Sequence, residues 1–315
     1  MLTTRFTTLL GCSHPLQLAP MGWIGTPQLA AAVTNAGGLG MLPGGEARAT
    51  LLDEVSAATQ GPVGVNFLLP FLDLDAVDAA AASVRLVEFF YGDPDPGLVG
   101  RVHAAGALAA WQVGSAAEAR AAVAAGCELV VVQGTEAGGH VRGRLALFPL
   151  LEQVLGTVGV PVVAAGGIAT GRSVAAALAA GADAVRVGTR FAAARESAAH
   201  PDYVEALVGA VGEDTVLTEA FGLDWPDAPH RVLRSCVEAA AASDRAVVAV
   251  RREGGGDVPM ERWSSTPPSA DVVGEAAAMA LYAGEGVAAV QRVEPAAEIV
   301  RMLVDEAETL LARFG

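Results

Sequence analysis

A rhythm in the first 190 residues constrains this chain more than any other feature. Eight short apolar runs recur at 16–20, 38–42, 62–67, 84–90, 107–113, 128–133, 161–165 and 183–187, each followed by an Ala-rich stretch of helical pattern. Their starts lie about 20 to 24 residues apart, except between the sixth and seventh, where 161 minus 128 leaves 33. Strands that are apolar on both faces and alternate with helices belong to a parallel sheet covered on both sides. Eight of them predict an α/β fold closed as a (β/α)8 TIM barrel. The second run is the weakest, so an open doubly wound sheet stays as the alternative. Helix boundaries fit the rhythm. Thr26-Pro27 offers a capping hydroxyl before a proline at the first helical position, with Gly37-Gly38 at the far end. Ser115 and Gly126 bracket another helix, and Ser173 and Gly181 a third.

After residue 195 the pattern changes. Segments 200–212, 231–243, 271–283 and 295–313 read as helices, and 253–268 as a Gly-, Pro- and Ser-containing loop. The expected organisation is a barrel core over 1–195, a smaller helical cap over 196–290 that shapes the substrate region, and a C-terminal helix over 291–315 packing back on the barrel.

Composition excludes several function classes. Of 315 residues, 52% are apolar and 17% charged, which suits a large buried core and not a disordered chain. Twenty basic residues against 35 acidic give a net charge of −15, the wrong sign for a nucleic-acid binder. Every basic residue is Arg. Without a lysine there is no Schiff base, no pyridoxal-phosphate anchor and no P-loop. Cys12, Cys127 and Cys236 lack ligand spacing and are odd in number, so no metal site or disulfide framework is expected, and a reducing cytoplasm is the simplest setting. Leu9-Leu10-Gly11-Cys12 mimics a lipoprotein cleavage site, but the stretch before it is short and rich in threonine. The longest charge-free run, 153–171, is broken by Pro161 and several glycines, and reads as a buried strand with its turns; no membrane span is expected.

In such a barrel the chemistry lies at the C-terminal ends of the strands. After the seventh run comes Ala165-Gly166-Gly167-Ile168, and after the eighth Gly188-Thr189-Arg190-Phe191. Glycines here either make tight turns or bring backbone N–H groups close to a phosphate. The long interval after the sixth run holds Gln133-Gly134-Thr135-Glu136-Ala137-Gly138-Gly139-His140. A long polar loop at the catalytic end is a place for function, and His140 is the acid/base candidate because imidazole titrates near neutrality. His14, His103, His200 and His230 are read as structural.

These residues together resemble the nitronate monooxygenase family, formerly called 2-nitropropane dioxygenases, which are FMN-dependent barrels. GCSHPLQLAPM at 11–21 resembles the family opening, TPQLAAAVTNAGGLG at 26–40 its first helix and second strand, and Gly64-Val65-Asn66 its third strand. QGTEAGGH at 133–140, AAGGI at 164–168, VGTRF at 187–191 and YAGEGV at 282–287 resemble its flavin, active-site and C-terminal motifs. The matches run in order and nearly end to end. The resemblance implies that Ala19, Pro20 and Met21 line the flavin ring, and that Asn66, Gln133, Gly138 and Gly139 contact FMN. It implies that Gly166, Gly167 and the stretch Arg186, Val187, Gly188, Thr189 hold the phosphate end. His140 falls on the family's active-site histidine.

The chain also departs from the pattern. Relatives commonly have a short GGH-x-G turn, whereas this chain reads His140-Val141-Arg142-Gly143-Arg144. The two added charges are either a solvated loop or a site for an anionic substrate: a nitronate, a carboxylate or a thioester carrier. Arg186 stands where relatives often have an uncharged residue, and its charge would favour an anionic reduced flavin. Gln112 and Tyr282 are further substrate-side candidates. The leading expectation is oxidation of an alkyl nitronate or nitroalkane by FMN and O2 to a carbonyl compound and nitrite. The alternatives are an NAD(P)H-dependent enoyl-thioester or quinone reductase on the same scaffold, or a flavin-binding partner protein without turnover. A homodimer is left open.

Overall fold

The structure, a computed structural model, describes residues 2–45 and 49–313. All eight expected runs are strands of one parallel sheet: β1 (Leu16–Leu18), β2 (Gly40–Pro43), β3 (Val63–Leu68), β4 (Leu86–Phe90), β5 (Leu108–Val113), β6 (Leu129–Gln133), β8 (Val162–Ala165) and β9 (Ala184–Val187). The short strand β7 (Gly139–His140) lies outside it. The order runs β1-β9-β8-β6-β5-β4-β3-β2, and the two ends meet. Leu39 donates its N–H to Leu16 O at 2.8 Å, and Leu18 donates to Leu39 O at 2.9 Å. That seam closes the barrel and removes the open-sheet alternative. It also explains why the second run is weak. A Cβ on Gly40 would sit 2.1 Å from Ala30 O. The following strand therefore starts on glycine because the preceding helix lies directly on its backbone.

The surrounding helices are α2 (Pro27–Asn35), α3 (Ala49–Ala58), α4 (Leu74–Ala81), α5 (Pro96–Ala104), α6 (Ala116–Ala125), α7 (Leu147–Leu155) and α8 (Gly171–Ala179); α1 (Arg5–Leu10) precedes the first strand and buries Phe6 and Leu10 in the barrel core. The N-termini of α2, α4, α5, α6 and α8 carry the capping side chains that strand-to-helix turns need. Thr26 accepts from Leu29 N–H, Asp73 and Asp95 cap α4 and α5, and Ser115 accepts from Glu118 N–H. For α8 the cap is Thr170, with Ser173 returning the bond three residues on, a reciprocal box shifted from the expected Ser173 start. The short helix α9 (Thr189–Ala192) follows β9 directly.

The rest of the chain corrects one expectation. The cap is not purely helical. Helices α10 (Pro201–Val208) and α11 (Arg234–Ala242) are joined by two small sheets: β10 (Thr215–Thr218) and β11 (His230–Leu233) with β7, and β12 (Val247–Glu253) between β13 (Gly256–Glu261) and β14 (Val272–Gly274). Within 253–268, read as loop, residues Gly256–Glu261 thus form the hairpin strand β13. Segment 271–283, read as helix, is β14 followed by a 3-10 turn. The Ala-rich composition of 271–283 imitates a helix, but Gly274, at φ +139°, packs its Cα against the Ala249 backbone and holds an extended edge. Two separate buried clusters result. One fills the barrel and takes in Ile299, Val300, Leu303 and Val304 of α12 (Ala296–Leu311). The other gathers Tyr203, Leu207, Phe221, Val232, Cys236, Leu281 and Val287 beneath the cap.

Candidate active site

The loop after β6 is pinned at both ends. Gln133 donates its amide Nε2–H to His140 O at 3.0 Å, which brings the loop back over the barrel. The Glu136 carboxylate accepts Leu147 N–H at 2.9 Å, and its backbone O accepts Glu285 N–H at 2.9 Å. β7 then pairs antiparallel with β11, setting His140 opposite His230. Gly138 makes this possible. A Cβ there would lie 2.6 Å from Gly284 N and 2.8 Å from Ala283 C, both backbone. Gly138→Ala must therefore push the 283–284 turn away, and overpacking of this kind costs about 1–3 kcal/mol. A lowered melting temperature is the expected readout, and an unchanged one would mean the turn yields freely.

His140 sits among aromatic rings. Trp225 stacks on it with centroids 3.9 Å apart and 26° between planes; His230, Tyr282 and Tyr91 lie at 5.2, 5.6 and 6.0 Å. Its Nε2 is buried without a hydrogen-bond partner among the described residues. Burial, and secondarily the neighbouring His230, pulls its pKa down to about 3. It is thus a neutral imidazole at neutral pH, with a nitrogen free for a ligand. His230 is fully buried and fully bonded. Its Nε2 accepts Phe221 N–H at 3.2 Å, which assigns the proton to Nδ1, 2.8 Å from Ala228 O. Burial lowers its pKa too. The unfolded chain binds protons on both histidines below about pH 6.5, and the folded chain does so only at lower pH. Stability is therefore lost as pH falls below about 6.5, and for His140 the loss continues down to about 3. A urea midpoint flat from pH 7 to pH 4.5 would contradict this.

The other histidines serve structure. His103 pairs with Glu128 at 2.9 Å, and His200 Nδ1 caps α10 by accepting Asp202 N–H. His14 packs beside Gly37.

At the neighbouring ends of β8 and β9 the glycine turns are open. Gly166 and Gly167 take φ +121° and +66°, conformations that side chains disfavour. The N–H groups of Gly166, Gly167, Ile168 and Gly188 have no hydrogen-bond partner among the described residues. Val187 is buried at the end of β9, and Ala19, half-buried like Pro20 and Met21, lies against Gly188 where β1 pairs with β9. Thr189 turns its hydroxyl to Gly284 N–H at 3.0 Å, so it fastens the 282–287 motif to the barrel.

Inside the barrel, Arg186 does not reach that end. Its guanidinium donates to Gln17 Oε1 at 3.2 Å, to Gln112 Oε1 at 2.5 Å and to the Glu88 carboxylate. Glu88, wholly buried, also accepts Asn66 Nδ2–H at 2.8 Å. The charge expected to act on a flavin is therefore already neutralised. Arg142 is likewise engaged, with Asp93 at 2.5 Å and Glu118 at 3.1 Å, so its charge is already paired. Arg144 is solvent-exposed. Of the substrate-side candidates, Tyr282 faces His140, while its hydroxyl donates to Ser265 O at 2.6 Å. Sequence reading missed Glu88, Gln17, Trp225 and Tyr91. A carboxylate inside the apolar run 84–90 was a visible signal for Glu88. Nothing local marked Trp225.

Among the described residues no His, Cys, Asp or Glu group is placed to hold a metal ion, and no helix is long and apolar enough to cross a membrane.

The family profile for nitronate monooxygenase matches residues 3–81 and 73–306. The nitronate monooxygenase of Pseudomonas aeruginosa is 34% identical over 360 aligned residues, covering 97% of this chain and 99% of its own. The (3aS,4S,5R,7aS)-5-hydroxy-7a-methyl-1-oxo-octahydro-1H-indene-4-carboxyl-CoA dehydrogenase of Rhodococcus jostii is 38% identical over 247 residues, covering 74% of this chain. This chain spans 66% of that relative's length. The structure of FabK from Thermotoga maritima superimposes with a TM-score of 0.80 at 31% identity, covering 100% of this chain and 99% of its own. With the closed barrel, the His140 loop and a match over nearly the whole length, the chain is an oxidoreductase that belongs to the nitronate monooxygenase family.

Proposed function

We propose that this protein is an FMN-dependent nitronate monooxygenase, oxidising alkyl nitronates or nitroalkanes with O2 to a carbonyl compound and nitrite. By atom count, two nitronates and one O2 give two carbonyl compounds and two nitrites. The observation that carries the reading is the neutral, buried His140 with an unpartnered Nε2, set over the mouth of a barrel whose adjacent strand ends carry free N–H groups.

The residues present fit FMN. Free backbone N–H groups at Gly166, Gly167 and Gly188 suit a phosphate. The orphaned Gln133 Oε1 is an acceptor awaiting a donor. Asn66 gives its N–H to Glu88 and keeps its oxygen for a ligand. Ala19, Pro20, Met21, Gly138 and Gly139 would complete the cradle. When bound, FMN supplies the electron transfer, and the protein supplies placement and proton handling.

His140 would take the α-proton from a neutral nitroalkane, leaving the C–H electron pair on the nitro oxygens. Charging a buried imidazole is costly, and the cost is offset when the product beside it is an anion. A nitronate is such an anion. Trp225, Tyr91 and Tyr282 would keep water from that ion pair. The cap segment 196–290 would shape the substrate space, with 1–195 holding the cofactor and 291–315 bracing the barrel.

A second reading is a reductase that draws hydride from NAD(P)H and acts on an enoyl thioester or quinone. The relative named as a carboxyl-CoA dehydrogenase and the FabK likeness favour it. Anaerobic absorbance separates the two. Loss of the yellow flavin band on adding a nitronate, and not on adding NADH or NADPH, is the expected result. Bleaching by NAD(P)H alone would overturn it in favour of the reductase.

A further inference from the structure

The barrel interior holds a polar cluster that the proposed reaction does not use. Glu88 on β4 and Arg186 on β9 form an ion pair in which Glu88 is 0% and Arg186 5% exposed. Around them stand three amides, one committed at both ends and two at one end. Gln17 is used at both ends: its Oε1 accepts Arg186 Nε–H, and its Nε2 donates to Glu88 at 3.4 Å. Asn66 donates to Glu88 Oε1, so its oxygen is the end left over. Gln112 accepts from Arg186, so its N–H2 is the end left over. An amide flips at little cost unless neighbours of known polarity hold it. Here an acceptor-only carboxylate fixes one amide and a donor-only guanidinium fixes the other.

We propose that the Glu88–Arg186 pair sets the polarity of the flavin site, turning Asn66 with its oxygen and Gln112 with its N–H2 toward the ring, and cancelling the charge of Arg186. This rests on the FMN reading and deepens it. An isoalloxazine edge alternates donor and acceptor atoms, so an acceptor from β3 and a donor from β5 select one orientation of the ring. The neutralised guanidinium leaves the bound flavin without a nearby net cation. A cation close to the ring would stabilise the anionic reduced form and its adducts with anions. Both residues act through others and are positioning residues.

The test uses the purified full chain and added FMN. Binding is followed by quenching of flavin fluorescence, and the field at the ring by the Kd for sulfite, an anion that adds to flavins and bleaches them. Three forms are compared: native, Glu88→Gln, and the double variant Glu88→Gln with Arg186→Gln. A thermal melt confirms that each is folded, and the double variant, which buries no unpaired charge, guards against collapse of the single one. The expected results are sulfite binding at least tenfold tighter in Glu88→Gln, where Arg186 is uncompensated, and a return toward the native value in the double variant. The double variant should bind FMN about tenfold more weakly, because both amides are free to flip. FMN and sulfite constants within twofold of native in both variants would overturn the inference and leave the FMN reading intact. Failure of the native protein to bind FMN would overturn both.

Discussion

Replacing His140 with alanine will lower turnover of a neutral nitroalkane by about 10²–10⁴-fold, the usual loss when a positioned base is removed. Turnover of a preformed nitronate will fall far less, since its proton has already gone. The structural ground is specific. His140 is neutral, its Nε2 faces no partner among the described residues, and Trp225 stacks on its ring. Because burial holds its pKa down to about 3, the base form persists across neutral and mildly acidic pH. The pH profile of kcat/KM should then show no acidic limb near 6.5. Steady-state oxygen consumption checks both points. Equal loss with nitroalkane and nitronate would move His140 from proton transfer to substrate binding, and no loss would remove it from the mechanism.

Replacing Glu88 with alanine will destabilise the fold by about 3–5 kcal/mol, the range seen when one member of a buried ion pair is deleted. Arg186 would keep two amide oxygens, but no anion, inside the barrel. Its side chain is 5% exposed, so the uncompensated charge would stay cut off from water inside the barrel. Urea unfolding of the alanine variant measures the loss. Glu88→Gln with Arg186→Gln should recover most of it, because two neutral amides can bond to each other and to Gln17. An alanine variant as stable as the native chain would mean that water or a shifted backbone reaches the guanidinium.

Much of the barrel was legible because its signals are local. A strand apolar on both faces, a capping hydroxyl and a glycine turn are each decided within a few residues, and the eightfold recurrence turned local guesses into a topology. The His140 loop was legible for a related reason: the interval of 33 could not be a bare turn. The cap was misread where local composition and tertiary contact disagree. Alanines at 276–278 favour a helix, yet Gly274 and the edge pairing of β14 with β12 hold the chain extended just before them.

The site shows the same division more sharply. Arg142 and Arg186 looked like free cations because their partners are remote: Asp93 is 49 residues from Arg142, and Glu88 is 98 from Arg186. Trp225 carried no motif, and only the β7–β11 pairing brings it onto His140. The barrel strands, their turns and the residue types at their ends were readable from the chain, since backbone preference and hydrophobic period act over short separations. The tertiary structure alone decided which charges are cancelled, which amides are oriented and which nitrogen is left without a partner. Those depend on distances between residues far apart in the chain, which exist only once the barrel has closed.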